Sequence, residues 1–286
     1  MPVDRREFLK IAGAGLGSLM LPISSASASS DPKEAENAFA MLYDAPKCVG
    51  CRACQTACKT RAGLSPVKDE NNLYEAPMEL NSENWTIIKL YDGEDGPSFV
   101  KNQCMHCIEP ACASVCPVGA LEKTADGPVV YHAERCIGCR YCMTACPFNV
   151  PKYQWDKVEP FIQKCDFCFD LQAKGEQPKC SEACPTGALI SGRRGEMLTV
   201  AHDRIGQQPD VYESKVYGEK EVGGTSMLYL SKVSYEKLGL PNLNEKSLPE
   251  ITWPYMKAVP YVFFGMGGIM TAIYYFTHRN DKEEEA

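Results

Sequence analysis

The sequence predicts an α+β fold of two small subdomains, followed by one membrane-spanning helix. Three observations predict it. All sixteen cysteines lie between Cys48 and Cys184, in four groups of four. The runs between and after them are short and β-rich, or punctuated by glycine and proline. Residues 258–277 form one apolar, charge-free segment. The chain has 286 residues, long enough for one large domain or two small ones. Its net charge of −7 and pI near 5.3 exclude a nucleic-acid backbone as partner.

The N-terminus reads Asp4-Arg5-Arg6-Glu7-Phe8-Leu9-Lys10, then an apolar stretch over 11–23 containing Gly13, Gly15 and Gly17, then Ala26-Ser27-Ala28. A charged start, an apolar middle and a small-residue end make an export signal. The paired arginines and the weak hydrophobicity of the middle fit the twin-arginine type. Residues 1–28 are therefore set apart as a signal peptide, and 29–257 as the extramembrane body, with its core over 40–195.

Group one is Cys48, Cys51, Cys54, Cys58. Group two is Cys104, Cys107, Cys112, Cys116. Group three is Cys136, Cys139, Cys142, Cys146, and group four is Cys165, Cys168, Cys180, Cys184. Groups one and three have the C-x2-C-x2-C-x3-C spacing, and group three adds the following Pro147, which completes the bacterial ferredoxin signature for [4Fe–4S] clusters. Three closely spaced cysteines curl around one cubane. The fourth lies too far along the chain and ligates the other cluster of a pair. Glycine inside a ligand turn, as at Gly50 and Gly138, permits the tight backbone. Structural zinc favours paired C-x2–4-C motifs rather than triplets with an outlying fourth. A disulfide scaffold gives no reason for the triplets to recur, and no C-x-x-C-H marks a covalent haem.

Sixteen thiols thus predict four [4Fe–4S] clusters. Residues 104–146 read as a two-cluster ferredoxin-like core that exchanges fourth ligands. Cys104, Cys107 and Cys112 go with Cys146, and Cys136, Cys139 and Cys142 with Cys116. By elimination Cys48, Cys51 and Cys54 go with Cys184, and Cys165, Cys168 and Cys180 with Cys58. The fold class is therefore α+β with two ferredoxin-like subdomains, each holding two clusters, plus the terminal helix.

The remaining elements follow in chain order. Residues 59–103 are an insertion whose segments 85–90 and 98–101 read as strands around a turn at 92–96. Residues 127–132 form a short β-rich run between groups two and three. The stretch 169–179 inside group four is polar, with Gly175 and Pro178, and reads as a surface loop. Residues 196–205 are predicted to be helical and 227–230 a strand. Residues 258–277 span about 30 Å as a helix, enough to cross a bilayer. Tyr255, Tyr261, Tyr274 and Tyr275 would sit near its interfaces, and Gly268 and Ala272 offer a close-packing face for another helix. Residues 278–286 form a polar tail.

Cys104-Met105-His106-Cys107, Cys139-Arg140-Tyr141-Cys142 and Pro151-Lys152-Tyr153 resemble the iron–sulfur electron-transfer subunits of membrane-bound respiratory oxidoreductases. Met41-Leu42-Tyr43-Asp44 and the run from Tyr217 through Val222-Gly223-Gly224-Thr225 are similar to the HybA-type subunit of periplasmic nickel–iron hydrogenases. The formate dehydrogenase beta subunit is also similar, sharing the Val-Gly-Gly-Thr stretch and a C-terminal helix. The resemblance covers essentially the whole chain. It implies a non-catalytic subunit that relays electrons between a catalytic oxidoreductase subunit and an integral, quinone-reactive membrane subunit. The catalytic partner would be hydrogenase, formate dehydrogenase or another molybdopterin oxidoreductase.

The body would face the periplasm from the inner (cytoplasmic) membrane, with the tail in the cytoplasm. Lys47, Arg52, Lys59, Arg135, Arg140, Lys164 and Lys179 flank ligands as candidate tuning charges, and His106 reads as packing or a donor to sulfur. No catalytic constellation favours a self-contained enzyme. A structural metal-binding or sensor module would not need four clusters or a membrane exit. Replacing Arg5 and Arg6 together by lysine is expected to leave the protein in the cytoplasm, read by fractionation. Normal membrane assembly of that variant would show another signal at work.

Overall fold

The computed structural model describes residues 32–65 and 79–278. The signal segment 1–28 and the tail beyond residue 278 lie outside the described residues. Helix α1 (Pro32–Asn37) leads into strand β1 (Phe39–Asp44), the centre of a three-stranded sheet. On one side β1 pairs antiparallel with β8 (Leu189–Arg193), Tyr43 opposite Leu189. On the other it pairs parallel with β9 (Met227–Leu230), Met41 opposite Met227.

The period-two alternation of a strand divides these residues between two layers. Ala40, Leu42, Leu228 and Leu230 face helix α7 (Arg194–Gln207), packing with Met197 and Ala201. Met41, Tyr43, Met227 and Tyr229 face the cysteine-bearing layer, in one cluster with Cys104, Cys165 and Cys180. Both faces are covered, so β1 reads as a continuous apolar run rather than an alternating one.

The hairpin of β2 (Thr86–Tyr91) and β3 (Ser98–Gln103) is held onto this layer by tyrosines. Tyr43 donates to the Phe99 carbonyl at 2.9 Å and Tyr229 to that of Lys101 at 2.8 Å. Helix α2 (Ala53–Ala62) docks through Gln55, whose Oε1 accepts the Ile88 N–H at 2.8 Å. Two further small antiparallel pairs are β4 (Leu121–Lys123) with β5 (Val129–Tyr131), and β6 (Lys152–Tyr153) with β7 (Ile162–Gln163). Short helices α3 (Ala111–Ser114), α4 (Tyr141–Ala145), α5 (Phe169–Gln172) and α6 (Lys179–Glu182) carry or flank ligands. The stretch 169–179 is thus partly helical at its start, rather than loop throughout.

The segment before the terminal helix is locked onto the sheet by buried polar groups. Arg194 donates to the carbonyls of Thr225 at 2.9 Å and Glu219 at 2.7 Å. The buried Asp44 carboxylate takes Arg204 at 2.7 Å and the Tyr212 hydroxyl. The terminal helix α8 (Leu248–Thr277) starts well before the apolar segment at 258. Ser247 caps it by accepting the Glu250 N–H at 3.2 Å, and its first turn holds Pro249, where a missing N–H costs nothing. Pro254 and Pro260 lie inside it. The helix is long and apolar enough to cross a membrane, and the body leaves its apolar window uncovered.

Gly218 has φ +94°, and a Cβ there would meet the Met227 carbonyl oxygen at 2.4 Å. Gly218→Ala is expected to destabilise the body by about 3 kcal/mol, from overpacking against backbone together with the positive φ. Denaturant unfolding followed by circular dichroism checks this, and an unchanged midpoint would contradict it.

Candidate iron–sulfur sites

Each ligand turn is built the same way. Two residues after the leading cysteine the backbone enters the left-handed region: Gly50 (φ +69°), His106 (+46°), Gly138 (+70°) and Phe167 (+61°). In three of the turns this aims the amide back at the leading thiol. Gly50 N–H lies 3.5 Å from Cys48 Sγ, Gly138 N–H 3.4 Å from Cys136 Sγ, and Phe167 N–H 3.3 Å from Cys165 Sγ. Such donors favour a negative sulfur. Gly50 has a second reason to be glycine, because a Cβ would sit 2.4 Å from the Phe99 ring. His106 and Phe167 adopt the same conformation with side chains, and their rings stack on one another at 4.2 Å.

All sixteen cysteines are free thiols. Cys48, Cys51, Cys54 and Cys184 line one cavity, together with Arg52 and Lys101. Cys116, Cys136, Cys139 and Cys142 line a second, together with Arg140 and Tyr131. The other eight fall into two groups by their mutual electrostatics. Burial, then Cys112, Cys104 and Cys146, push Cys107 well above the ordinary thiol range. Burial pushes Cys58 up to about 12, Lys101 pulls it back, and Cys180 and Cys168 add to the rise. Cys165 is raised by burial and by Cys58, among others. Cys184 moves the other way, because the amides of Leu189, Thr186 and Ala188 and the Thr186 hydroxyl outweigh its burial.

The four sets form a row. Cys54 feels Cys180, Cys165 feels Cys104, and Cys112 feels Cys142. The row therefore runs from the set with Cys48, through those with Cys165 and Cys104, to the set with Cys136. The two exposed cysteines, Cys51 and Cys139, lie in its first and last sets. His106 and Phe167 stack between the two middle sets.

The donor set suits polynuclear clusters. Among the described residues no three of these side chains converge at single-ion distance, and eight of the thiols ring two cavities instead. Cations also lie among them. The Lys164 ammonium is buried against the Val129 and Cys165 carbonyls and lowers Cys112 and Cys146. Lys123, half-buried, donates to the Cys107 carbonyl at 2.9 Å; burial lowers it to about 8. Lys101 is completely buried.

Of the seven candidate tuning charges, Arg52, Arg140 and Lys164 lie at the thiols. Lys47 pairs with Asp44, Arg135 with Glu122 and Lys179 with Glu182. Lys59 turns to the carbonyls of Ser65 and Glu83. Lys101 and Lys123, neither adjacent to a cysteine in sequence, were not among those seven. The signal that would have found Lys101 is its place in a predicted hairpin strand that leads directly into the Cys104 turn. His106 is packing: its Nδ1 accepts the Val129 N–H at 2.9 Å, and burial, Lys164 and Lys123 hold its pKa well below the usual range.

A thiol-lined row of this kind defines an iron–sulfur electron-transfer protein, and residues 97–194 match the family model described as a 4Fe-4S dicluster domain. The chain belongs to the iron–sulfur electron-transfer subunits of hydrogenase and formate dehydrogenase complexes, the HybA type among them. It is 38% identical to the hydrogenase-2 operon protein HybA of Escherichia coli O157:H7, over 86% of each chain. It is 41% identical to a protein of Nitratidesulfovibrio vulgaris, over 99% of this chain and 80% of that one. The nitrate-inducible formate dehydrogenase iron–sulfur subunit of Escherichia coli K12 is 36% identical over 67% of each chain.

Proposed function

We propose that the chain holds four [4Fe–4S] clusters and relays electrons between a periplasmic nickel–iron hydrogenase subunit and a quinone-reactive membrane subunit. The row of four thiol sets, each drawing its fourth member from another cysteine group, carries this reading. Cys48, Cys51, Cys54 and Cys184 would hold the first cluster, and Cys58, Cys165, Cys168 and Cys180 the second. Cys104, Cys107, Cys112 and Cys146 would hold the third, and Cys116, Cys136, Cys139 and Cys142 the fourth. When bound, each cluster supplies a one-electron redox centre. The protein's part is to hold the thiolates, aim amides at sulfur and exclude water.

The terminal helix supports an exit at the fourth cluster. Its cap, Ser247, hydrogen-bonds the Glu109 carboxylate beside α3, which carries Cys112 and leads to Cys116. Apolar side chains are exposed beside the fourth set: Ile137, Tyr141 and Trp155, the last in contact with Arg140. Electrons would enter at Cys51 and leave near Cys139 toward the membrane. The body, residues 29–257, would be exported by the twin-arginine route and anchored by 258–277 with the tail in the cytoplasm. A formate dehydrogenase partner is the second reading, favoured by the 36% relative, but the hydrogenase-type relative covers more of the chain at higher identity.

The subunit isolated anaerobically is expected to contain about sixteen irons per chain, and the intact complex to include a nickel-containing subunit. Zinc, or about half that iron, would overturn the four-cluster reading, and a molybdenum-containing partner would select the second reading. Cys116→Ser is expected to alter the paramagnetic signal of the cluster at Cys136, not that at Cys104. The reverse would refute the ligand exchange.

A further inference from the structure

Lys101 is the most deeply buried charge in the thiol layer. It lies in β3 and is fully inaccessible. Its Nζ donates to Thr86 Oγ1 and Gln103 Oε1. Both partners are neutral. Gln103 is held in register because its amide donates to Met227 Sδ at 3.0 Å, which leaves Oε1 free to face the lysine. Among the described residues no carboxylate pairs with Lys101. An ammonium taken out of water without a counter-charge is strongly disfavoured, and such a group normally neutralises instead. Its counter-charge is sulfur: Cys180, Cys54, Cys165 and Cys58 lie close enough to act on the ammonium electrostatically. Those four thiols come from two different sets. Lys101 also lines the cavity of the first set, with Cys48, Cys51, Cys54 and Cys184. The charge therefore stands at the seam between the first two sites of the row, with sulfur as its source of negative charge.

We infer that Lys101 is the shared counter-ion of the clusters at Cys48, Cys51, Cys54, Cys184 and at Cys58, Cys165, Cys168, Cys180, and that its fixed charge holds both reduction potentials above what the thiol sets alone would give. The inference rests on the four-cluster reading. Each cluster gains one negative charge when it takes up one electron, so a nearby buried cation favours the reduced form, and low polarity keeps that effect from being screened. One cation facing two centres also keeps their potentials close, which suits neighbouring steps of a relay. Lys47 is the contrasting case. It adjoins Cys48 in sequence but is part-exposed and paired with Asp44, so its effect is screened.

The test is a redox titration of the purified complex with dithionite as reductant, followed by paramagnetic resonance, on wild type, Lys101→Gln, Lys101→Arg and Lys47→Gln. Glutamine keeps a donor for Thr86 and Gln103 and removes the charge. Two of the four couples are expected to become at least tenfold harder to reduce in Lys101→Gln, about 59 mV for a one-electron step. They should stay near wild type in Lys101→Arg and in Lys47→Gln. Four unmoved couples in an iron-replete Lys101→Gln complex would overturn the inference. Should Lys101→Gln fail to load iron, loading of Lys101→Arg decides: retention supports a required charge, and loss shows a packing role and overturns it. Wild-type subunit short of about sixteen irons per chain would instead sink the cluster reading itself, whatever the variants do.

Discussion

Thiols crowded into one layer of a protein interior resist carrying the negative charge that iron requires, as nine of the sixteen do here. Burial pushes Cys54, Cys142, Cys146 and Cys168 up to about 11 and Cys58 and Cys112 to about 12, and each set adds the repulsion of its own neighbours. The rest of the architecture follows from relieving that crowding. Left-handed turns exist to bring amides onto sulfur. Lysines that would ordinarily sit in water are drawn inside, where their stems pack and their ammonium groups answer the thiols. Iron supplies the remaining positive charge, so binding and folding free energy are one quantity in such a site.

The sheet gives this layer something rigid to stand on. Tyr43 and Tyr229, in contact edge to face at 5.7 Å, rise from adjacent strands and fix the hairpin that carries Lys101. The pairing of His106 with Phe167 plays the same part between the two middle sets. Two residues accept a backbone conformation that glycine would adopt more cheaply, and in return the ligand turns of groups two and four are packed ring on ring. Neither ring is placed to be a ligand; their position sets how close the two turns stand.

What was legible in the sequence divides along range of interaction. The ligand turns are local, so their cysteine and glycine spacing announced them, and the hairpin over residues 86–103 and the helix over 194–207 were visible from turn signals and pattern. Strand β1 was not. Phe39–Asp44 is buried on both faces, so it shows no alternation, and its partners lie far along the chain. The start of α8 lay outside the apolar segment, in a more polar run that holds Pro249 and Pro254, although a proline in the first turn favours a helix and prolines are tolerated in membrane-spanning ones. Lys101 and Lys123 were invisible beside the motif-flanking cations because tertiary placement, not adjacency to a cysteine, decides which charge reaches sulfur. Arg135 and Lys179 flank ligands yet spend their charge on surface carboxylates.

The order β8-β1-β9 has a consequence for how the chain is made. The central strand is synthesised first and its two neighbours last, at Leu189–Arg193 and Met227–Leu230. A nascent chain halted before Met227 would present β1 with one edge unpaired, the kind of edge that recruits other strands. Cys58 and Cys184 each sit beside thiols contributed by the opposite end of the cysteine region, so those two sets are complete only once Cys180 and Cys184 have been made. Emergence of Met227–Leu230 is therefore the event that lets the sheet close, the earliest strand waiting for the latest.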